Sequence, residues 1–424
     1  MILIEPLNLQ IREIQYGGWP VLLRKLHTLL SLIFKYSSLL LHAPWAIPVV
    51  LLIRCLRPWL LIRLGTLTSW RIGHFAPDAG HQSIMRQIAS QKTLDLYWLP
   101  SVTCNEFWAE MVRRNFSVYP WVRPLDLWNQ ILPGGAIHHR LSSNTNSRDI
   151  HGWFQNHPLG LTFLPEEDKQ AKTWLSQQGW QEGEPFVCLQ VRDSAYLNTD
   201  SLHKGSDWNY HNYRDSDIAT YVPAVEWLAQ QGVWVLRMGK IMAKPIASSH
   251  PRIIDYAFHP EKSDFLDIWL YAHCNLCIST SSGPDWISSI YRIPLLFVNF
   301  LPLIHLWSWS DAVHIPKTLV WQESGIPLTW REHLDSGYFY NQYYEQAGIK
   351  IIDLTPEDIL AVVQERWQRV QGTWVDTEAD INRQDRFWEI LKAHPDFSKY
   401  HGWIHPEARV SSTWLRSMGD EFLA

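Results

Sequence analysis

Short apolar runs alternate with amphipathic stretches along the chain between about residues 60 and 300. Runs such as 186–191 and 276–279 contain apolar, partly β-branched residues, and each ends abruptly in polar groups. Residues 217–230, which lie between them, place four apolar side chains on one stripe, as in a helix that covers a sheet. Strands that alternate with helices predict right-handed crossovers and a parallel sheet. The hydrophobic pattern therefore predicts an α/β protein.

The same pattern predicts the individual elements and one early loop, at 71–78. The predicted strands are 59–65, 94–99, 116–119, 186–191, 233–237, 252–256, 276–279, 295–299 and 349–354. The predicted helices are 79–90, 105–114, 124–131, one that opens at Pro165, 217–230, 264–273, 283–291 and 356–370. Pro223 fits a first helical turn, so the regular part of helix 217–230 is predicted to begin near residue 221.

Length and composition favour more than one domain. The chain has 424 residues, of which 46% are hydrophobic and 19% are charged, and it is too long for one ordinary core. Residues 141–158 are rich in Ser, Asn and His and resemble a linker or an exposed loop. The predicted parts are an amphipathic segment at 1–58, a Rossmann-like domain at 59–160, a second at 161–374, and a helical tail at 375–424 that packs back on the first domain.

The net charge of −5 hides an asymmetry between the amino-terminal region and the rest. Residues 1–76 contain eight Lys and Arg against two acidic residues, a net charge of +6 that leaves −11 for the remainder. A basic, apolar segment on an acidic body predicts contact between residues 20–58 and an anionic membrane surface, and no nucleic acid partner. We expect the protein in the cytoplasm, peripheral on the inner face of the membrane.

The manner of membrane contact is open at the level of sequence. Residues 36–53 are eighteen uncharged positions, close to the minimum for a membrane span, but two prolines and a histidine interrupt them. An interfacial helix or a re-entrant hairpin is therefore favoured over a true span and over a buried helical pair.

Neither of two motifs with metal-ligand character predicts a metal site. Cys274 and Cys277 form a C-x-x-C, but no second pair or His set has the spacing of a metal site, so two buried thiols are predicted. Asp215 and Asp217 form a D-x-D directly before a helix, where capping is favoured over metal binding. All five cysteines fit a reducing compartment without structural disulfides.

Polar groups at the end of strand 186–191 are candidates for binding a diphosphate. Arg192 and Asp193 follow this strand, and a guanidinium can grip a diphosphate in a bidentate manner. The alternative is a structural Arg-Asp pair at the sheet edge. Further candidates on the same carboxyl edge are Tyr196, Arg214, Arg237 and Gly239.

The turn after strand 276–279 is a second candidate anion site. Ser279, Ser281, Ser282 and Gly283 join a strand to a helix, where hydroxyls and backbone N–H groups can converge on an anion. An ordinary Ser-rich turn with a helix cap is the alternative.

Lys262 and Asp264 open another helix and meet the same capping alternative, but Lys262 is also a candidate for a donor ribose or base. No metal ligand is predicted among these residues.

The first predicted domain supplies a candidate general base. His74, in the predicted loop 71–78, can accept a proton from an acceptor hydroxyl, with Arg71 and Gly73 beside it on the acceptor side. A surface or loop-stapling His is the alternative. Asp193 is the second candidate for this catalytic role.

Six strings together resemble a family of bacterial glycosyltransferases associated with surface polysaccharide synthesis. They are V-R-D-x-x-Y at 191–196, Y-R-D-S-D-I at 213–218, W-V-L-R-M-G at 234–239, K-S-D-F-L-D at 262–267, S-T-S-S-G at 279–283 and I-R-L-G-x-L-x-S-x-R-I-G-H-F-A at 62–76. The second domain also distantly resembles fucosyltransferases with an H-x-R loop, in which Arg192 matches the arginine and Gln190 replaces the histidine.

This resemblance implies a GT-B-like fold, in which two Rossmann-like domains face a cleft. It further implies a nucleotide-sugar donor in the second domain, a glycan or lipid-linked acceptor near the first, and no obligatory metal or other cofactor. The expected function is sugar transfer in cell-surface polysaccharide synthesis. A non-catalytic nucleotide-sugar or glycan-binding subunit, and a sugar-nucleotide epimerase or hydrolase, share the fold and remain alternatives.

Overall fold

The computed structural model describes residues 18–19, 21–23, 25–26, 37, 39–88, 93–140, 148–196 and 209–424. The strands are β1 (Leu61–Thr66), β2 (Thr93–Trp98), β3 (Ser117–Val118), β4 (His139–Arg140), β5 (Phe186–Gln190), β6 (Trp234–Arg237), β7 (Ile253–Ile254), β8 (Leu276–Ser279), β9 (Leu295–Val298), β10 (Ala312–Ile315), β11 (Thr318–Trp321), β12 (Ile349–Ile352) and β13 (Arg409–Val410). The α-helices are α1 (39–55), α2 (Ile72–Ile88), α3 (Glu106–Asn115), α4 (Val122–Ile131), α5 (Trp153–Asn156), α6 (Pro165–Gln177), α7 (Val222–Gln230), α8 (Asp264–His273), α9 (Asp285–Ile290), α10 (Trp330–Asp335), α11 (Asn341–Gln346), α12 (Pro356–Val370), α13 (Glu378–Ala393), α14 (Phe397–Tyr400) and α15 (Ser412–Met418).

The chain divides into two compact units. The described residues within Met1–Thr66, Ser90–Leu99 and Phe116–Leu141 form the smaller unit. The described residues within Leu67–Ala89, Pro100–Asn115 and Ser142–Ala424 form the larger unit. The domain boundaries and the cleft predicted from the sequence stay predictions.

The smaller unit is built on a four-stranded parallel sheet in the order β3-β2-β1-β4. Helix α1 covers it, with Ala46, Val50 and Ile53 packed in one apolar cluster with Leu64 of β1 and Leu125 of α4. Burial of these side chains supplies the hydrophobic free energy that holds the helix on the sheet.

The opposite face of α1 is also apolar but lies in solvent. Its exposed large hydrophobic side chains, together with one just beyond the helix, are Leu40, Leu41, Trp45, Leu51, Leu52 and Leu56. Within the described part of the chain, no helix combines the length and the apolar composition that a membrane crossing requires.

The larger unit contains a seven-stranded sheet in the order β13-β10-β9-β8-β5-β6-β7, in which every pairing is parallel. The chain therefore begins in the middle at β5, adds strands toward one edge, returns to the middle at β8 and continues to the other edge. Every residue of β5, β8 and β9 is buried, because helices cover both faces of such a sheet. This is a doubly wound sheet, and the predicted α/β fold class is confirmed.

Several local predictions need correction. The loop predicted at 71–78 is wrong, because α2 begins at Ile72; Gly73 and Pro77 disfavour a helix locally, but ten consecutive buried residues hold it by packing. Strands β4, β10, β11 and β13 were not predicted from the sequence. Strand β13 belongs to the predicted tail and pairs with β10, so the tail extends the larger sheet.

Other predictions agree closely with the structure. Helix α8 and strand β8 have the predicted bounds, and regular helix begins at Val222 after a short 3-10 segment, as Pro223 indicated. Cys274 and Cys277 are buried thiols, as predicted.

Candidate functional site

The carboxyl ends of β5 and β8 lie side by side in the middle of the larger sheet. Gln190, the last residue of β5, is the register partner of Ser279, the last residue of β8. Beyond them, the Thr280 N–H donates to the Gln190 carbonyl over 3.1 Å, and the Arg192 N–H donates to the Thr280 hydroxyl over 2.9 Å. Ligands of doubly wound sheets bind where the strand order reverses, which is this point. The loops here line a cavity of about 590 Å³.

Positive charge predominates among the described residues that line this cavity. The cationic side chains are those of Arg71, Arg148, Arg192, Arg214 and Lys240, and the acidic ones are those of Asp193 and Asp267. A concave surface with excess positive charge attracts and concentrates anions. The two candidate anion-binding segments predicted from the sequence therefore contribute to one cavity.

Arg192 is mostly buried and forms an ion pair. Its Nη1 atom lies 2.8 Å from Asp215 Oδ1, so Asp215 of the D-x-D neutralises an arginine. Burial and the neighbouring Arg214 lower the pKa of Arg192 to about 10, which leaves it protonated at neutral pH. The charge of Arg214 disfavours the charged form of Arg192, and a bound diphosphate, which carries negative charge and acceptor oxygens, would relieve this repulsion.

The turn after β8 is held by side chains from both sides. Arg214 donates from Nη2 to the carbonyl of Ser281, which has a φ of +62°. The Ser282 N–H donates to Asp285 Oδ2 over 2.5 Å. Asp285 therefore occupies the N–H of Ser282 that was predicted to face an anion, and the turn contributes to the cavity through the exposed parts of Ser281, Ser282 and Gly283.

Asp193 connects two loops at the edge of the cavity. Its Oδ1 accepts the Ala195 N–H over 2.9 Å, and its Oδ2 accepts the Ala243 N–H over 2.8 Å. Both carboxylate oxygens therefore hold backbone next to Arg192. The catalytic role of Asp193 stays a prediction, and the geometry supports a positioning role.

Arg237 does not reach the cavity. It is fully buried, with Nη1 3.2 Å from Asp255 Oδ1 and Nη2 donating to the Lys244 carbonyl over 3.1 Å. Leu236 and Ile254 are register partners in the pairing of β6 with β7. Arg237 and Asp255 are the next residues along each strand, which places the carboxylate beside the guanidinium. Arg237 is absent from the described lining of the cavity.

Lys262 and Asp264 also lie outside that lining. The Lys262 ammonium donates to the carbonyls of Gly239, Lys240 and Ala257 over 3.3, 2.8 and 2.6 Å. Asp264 accepts the Glu106 N–H over 2.7 Å at the start of α3. Both side chains thus hold loops. Neither caps α8, whose cap is Ser263.

Gly239 and Tyr196 also line the cavity. Gly239 has a φ of +149°, and a Cβ at this position would stand 2.4 Å from Met242 Sδ. A side chain would therefore displace the Met242 side chain and strain a backbone conformation that favours glycine.

His74 lies in the first turn of α2 and lines the same cavity as Arg192. Burial, reinforced by the charge of Arg71 and opposed by Asp78 four residues further along the helix, lowers the pKa of His74. The imidazole is therefore neutral at pH 7 and able to accept a proton. The structure places Arg71, Gly73 and His74 in the same cavity as Arg192, Ser281 and Ser282.

The sequence did not single out Asp267 as a site residue. It lies in the first turn of α8 and lines the cavity, and burial raises its pKa to about 6. The spacing of four between Asp267 and Tyr271 was the one signal in the sequence, since such residues are neighbours on a helix. In the structure, Tyr271 also lines the cavity and donates to the Gln190 side chain over 2.7 Å.

The sequence also missed an aromatic wall. Trp286, Trp307 and Trp309 line the cavity with ring centroids 4.6 Å, 5.6 Å and 5.4 Å apart in the three pairings. Only the abundance of Trp in the composition pointed to such a cluster, without a position.

Asp217 caps the 3-10 segment before α7 by accepting the Ala219 N–H over 2.9 Å, which confirms the capping prediction for the second acid of the D-x-D. Among the described residues, no group of three or more His, Cys, Asp or Glu side chains is arranged to hold a metal ion.

Three solved glycosyltransferase structures are similar to this chain at low identity. The ADP-heptose LPS heptosyltransferase II of E. coli is 12% identical, with a TM-score of 0.39 over 73% of this chain and 98% of that one. A family 9 glycosyl transferase from Veillonella parvula is 11% identical, with a TM-score of 0.42 over 73% and 97%. The heptosyltransferase WaaC of E. coli, solved with ADP, is 10% identical, with a TM-score of 0.29 over 60% and 91%.

No protein-family model matches the chain, and no curated protein matches it significantly. At such identities and TM-scores, the structural similarities do not establish a family or a function. The resemblance to H-x-R fucosyltransferases stays a prediction.

Proposed function

We propose that this protein is a glycosyltransferase that moves a sugar from a nucleotide-sugar donor to a glycan or lipid-linked acceptor in cell-surface polysaccharide synthesis. The observation that carries the proposal is the placement of Arg192, Arg214 and His74 around one cavity at the switch point of a doubly wound sheet. This arrangement combines a grip for a leaving diphosphate with a neutral base.

Arg192 and Arg214 would act on the leaving group. When the bond between the anomeric carbon and the diphosphate oxygen breaks, negative charge builds up on the nucleoside diphosphate. Two fixed guanidinium groups stabilise that charge more than they stabilise the intact donor, and this difference lowers the barrier. Because these cations are supplied by the chain, we propose a reaction with no obligatory metal.

His74 would act on the acceptor. As the acceptor oxygen forms its bond to the anomeric carbon, its proton has to leave, and a neutral imidazole in the same cavity can take it. The lowered pKa of His74 keeps it in this form at neutral pH.

The test is a panel of UDP-, GDP-, ADP- and dTDP-sugars, each with and without glycan acceptors and with and without EDTA. Release of nucleoside diphosphate that depends on the acceptor and survives EDTA supports the proposal. Release without an acceptor would indicate a hydrolase, and an isomeric donor would indicate an epimerase. Binding of a donor with no turnover under any condition would contradict the enzymatic proposal and favour a non-catalytic subunit.

We further propose that α1 places the enzyme on the inner face of the membrane. The exposed face of this helix carries Leu41 and Leu52, with 78% and 59% of their surface in solvent, on a segment of net positive charge. An apolar helix face in a basic segment fits an anionic bilayer surface. A lipid-linked acceptor would be within the reach of an enzyme held there.

A further inference from the structure

We propose that the part of the cavity formed by Arg148, His305 and Trp309 binds an anionic group of the acceptor, a carboxylate or a phosphate. This inference rests on the proposed function and adds the class of acceptor. It assigns a role to three side chains that belong neither to the sequence motifs nor to the donor grip, the name used for Arg192 and Arg214.

Arg148 lacks an acidic partner among the described residues. Its Nη2 lies 2.9 Å from His305 Nδ1, while its Nη1 is buried and has no hydrogen-bond partner in the described part of the chain. The guanidinium lies over the rings of Tyr400 and Trp309, 4.9 and 5.8 Å from their centroids. Burial lowers the pKa of Arg148 to about 10, so the group remains charged at neutral pH. A buried cation with an unused donor is costly unless an anion completes it.

His305 adds a donor to this arrangement. Arginine can only donate, so His305 Nδ1 has to be the acceptor of the bond from Arg148, and the proton of the neutral ring is on Nε2. Burial and the charge of Arg148 lower the pKa of His305 to about 2, which keeps the ring neutral. The rings of Phe339 and Tyr400 pack against it at centroid distances of 4.5 and 4.2 Å.

Trp309 supplies another donor. Its Nε1 is buried without a hydrogen-bond partner among the described residues, and indole nitrogen only donates. Arg148, His305 and Trp309 all line the cavity. A sugar hydroxyl both donates and accepts, whereas a carboxylate or phosphate only accepts, so a set of donors next to a positive charge favours the oxyanion.

This subsite is separate from the donor grip in the sheet. Arg192 and Arg214 belong to the loops that follow β5, whereas His305 and Trp309 belong to the segment that follows β9. Because β8 lies between β5 and β9, the two groups follow strands on opposite sides of β8. The cavity therefore contains one positively charged subsite for a diphosphate and a second for an acceptor anion.

The experiment measures binding of three small probes: glucuronate, glucose 6-phosphate and glucose, with inorganic phosphate as a fourth arm. We expect glucuronate or glucose 6-phosphate to stabilise the protein against heat, and glucose to have no effect at the same concentration. The stronger of the two anionic sugars identifies the carboxylate or the phosphate as the natural group. Stabilisation by phosphate alone, equal to that by glucose 6-phosphate, would mean that an adventitious anion suffices and would overturn the acceptor assignment.

Variants make the assignment specific. Arg148→Gln should weaken binding of the anionic sugar by at least about tenfold, as for the loss of one charge-assisted bond, and leave nucleoside diphosphate affinity unchanged. Arg192→Gln should weaken nucleoside diphosphate binding and leave the affinity for the anionic sugar unchanged. Trp309→Phe replaces the indole with a phenyl ring, removes the N–H, and should weaken anionic sugar binding even if Arg148→Gln does not fold.

The outcomes separate this inference from the proposed function. Unchanged binding of both anionic sugars to Arg148→Gln and Trp309→Phe would overturn the subsite, while acceptor-dependent turnover would leave the glycosyltransferase intact. Anionic sugar binding that requires Arg148, with no turnover in the nucleotide-sugar panel, would preserve the subsite and reject the enzyme.

Discussion

Gly73 in the first turn of α2 lies directly against Gly283 in the turn after β8. A Cβ on Gly73 would stand 2.9 Å from Gly283 Cα, and a Cβ on Gly283 would stand 3.0 Å from the Gly73 nitrogen. These are contacts between backbones, so a neighbouring side chain cannot rotate to relieve them. The two glycines thus join the segment that carries His74 to the segment that carries Ser281 and Ser282.

Gly73→Ala should therefore damage both stability and activity. Overpacking of this kind costs about 1–3 kcal/mol, and the shift of α2 relative to the β8 turn should also lower kcat/KM. The measurement is urea unfolding together with steady-state kinetics. Gly325→Ala is the control, because Gly325 has a φ of +69° with nothing within 4 Å of its Cβ position. It should lose about 1 kcal/mol from left-handed strain and keep its activity. Equal kinetics for wild type and Gly73→Ala would contradict the inferred role of the contact.

Arg192→Gln and Arg237→Gln should separate binding from stability. Loss of Arg192 removes a charge-assisted contact to the diphosphate, so nucleoside diphosphate affinity should fall roughly ten- to a hundredfold. Loss of Arg237 leaves Asp255 without its buried partner and should lower the free energy of unfolding by roughly 3–5 kcal/mol. Calorimetric titration and urea unfolding of both variants test this. A large loss of affinity in Arg237→Gln at full stability would place that residue back in the donor site.

These two arginines show what the sequence can and cannot predict. Both follow the same logic of a cation at the carboxyl end of a parallel strand, and the strands themselves were predictable from local apolar runs. What differs is the partner: Arg237 meets Asp255 from the next strand, whereas Arg192 meets Asp215 at the edge of the cavity. Arg237 meets Asp255 because β6 and β7 pair, and local periodicity does not show which strands pair.

Arg148 illustrates the same limit more strongly. It follows a polar stretch with no element on which to place it, and its neighbours His305 and Trp309 are more than 150 residues further along the chain. By contrast, Gly73 and His74 were recognised as functional candidates even though the loop assigned to them was wrong. A motif is carried by residue types, and it survives an error in secondary structure.

The exposed face of α1 should bind anionic membranes. Leu41→Glu with Leu52→Glu introduces two charges into this apolar face and should reduce co-sedimentation with phosphatidylglycerol vesicles several-fold. Ile381→Glu is the matched control, since Ile381 is an exposed apolar residue of α13. Equal sedimentation of the double variant and the control would refute the membrane surface on α1. Strong binding to phosphatidylcholine vesicles would argue against a contribution from the basic charge.

His74 should give the reaction an acid limb below pH 6.5. Only the neutral imidazole accepts a proton, and burial together with Arg71 lowers its pKa, so kcat/KM should fall as the pH drops through that lowered value. His74→Ala should lose about 10²–10⁴ in kcat. Arg71→Gln removes a charge that lowers the pKa of His74, so its acid limb should move to higher pH. If the acid limb of the pH profile is unchanged in His74→Ala, His74 is not the general base. The role would then pass to Asp267, whose raised pKa of about 6 also predicts a fall in rate at low pH.

Asp285 should make the protein less stable as the pH rises toward neutrality. Burial raises its pKa from an unfolded value near 3.8 to about 7, so the folded state binds its proton more tightly than the unfolded state does. The stability that this proton provides is complete below the unfolded pKa and is lost as the pH rises through the folded pKa. Asp285→Asn keeps an oxygen for the Ser282 N–H and cannot ionise, so its free energy of unfolding should vary less between pH 4 and pH 7. Urea unfolding at several pH values measures the difference, and parallel curves for the variant and the wild type would show that Asp285 ionises normally in the folded protein.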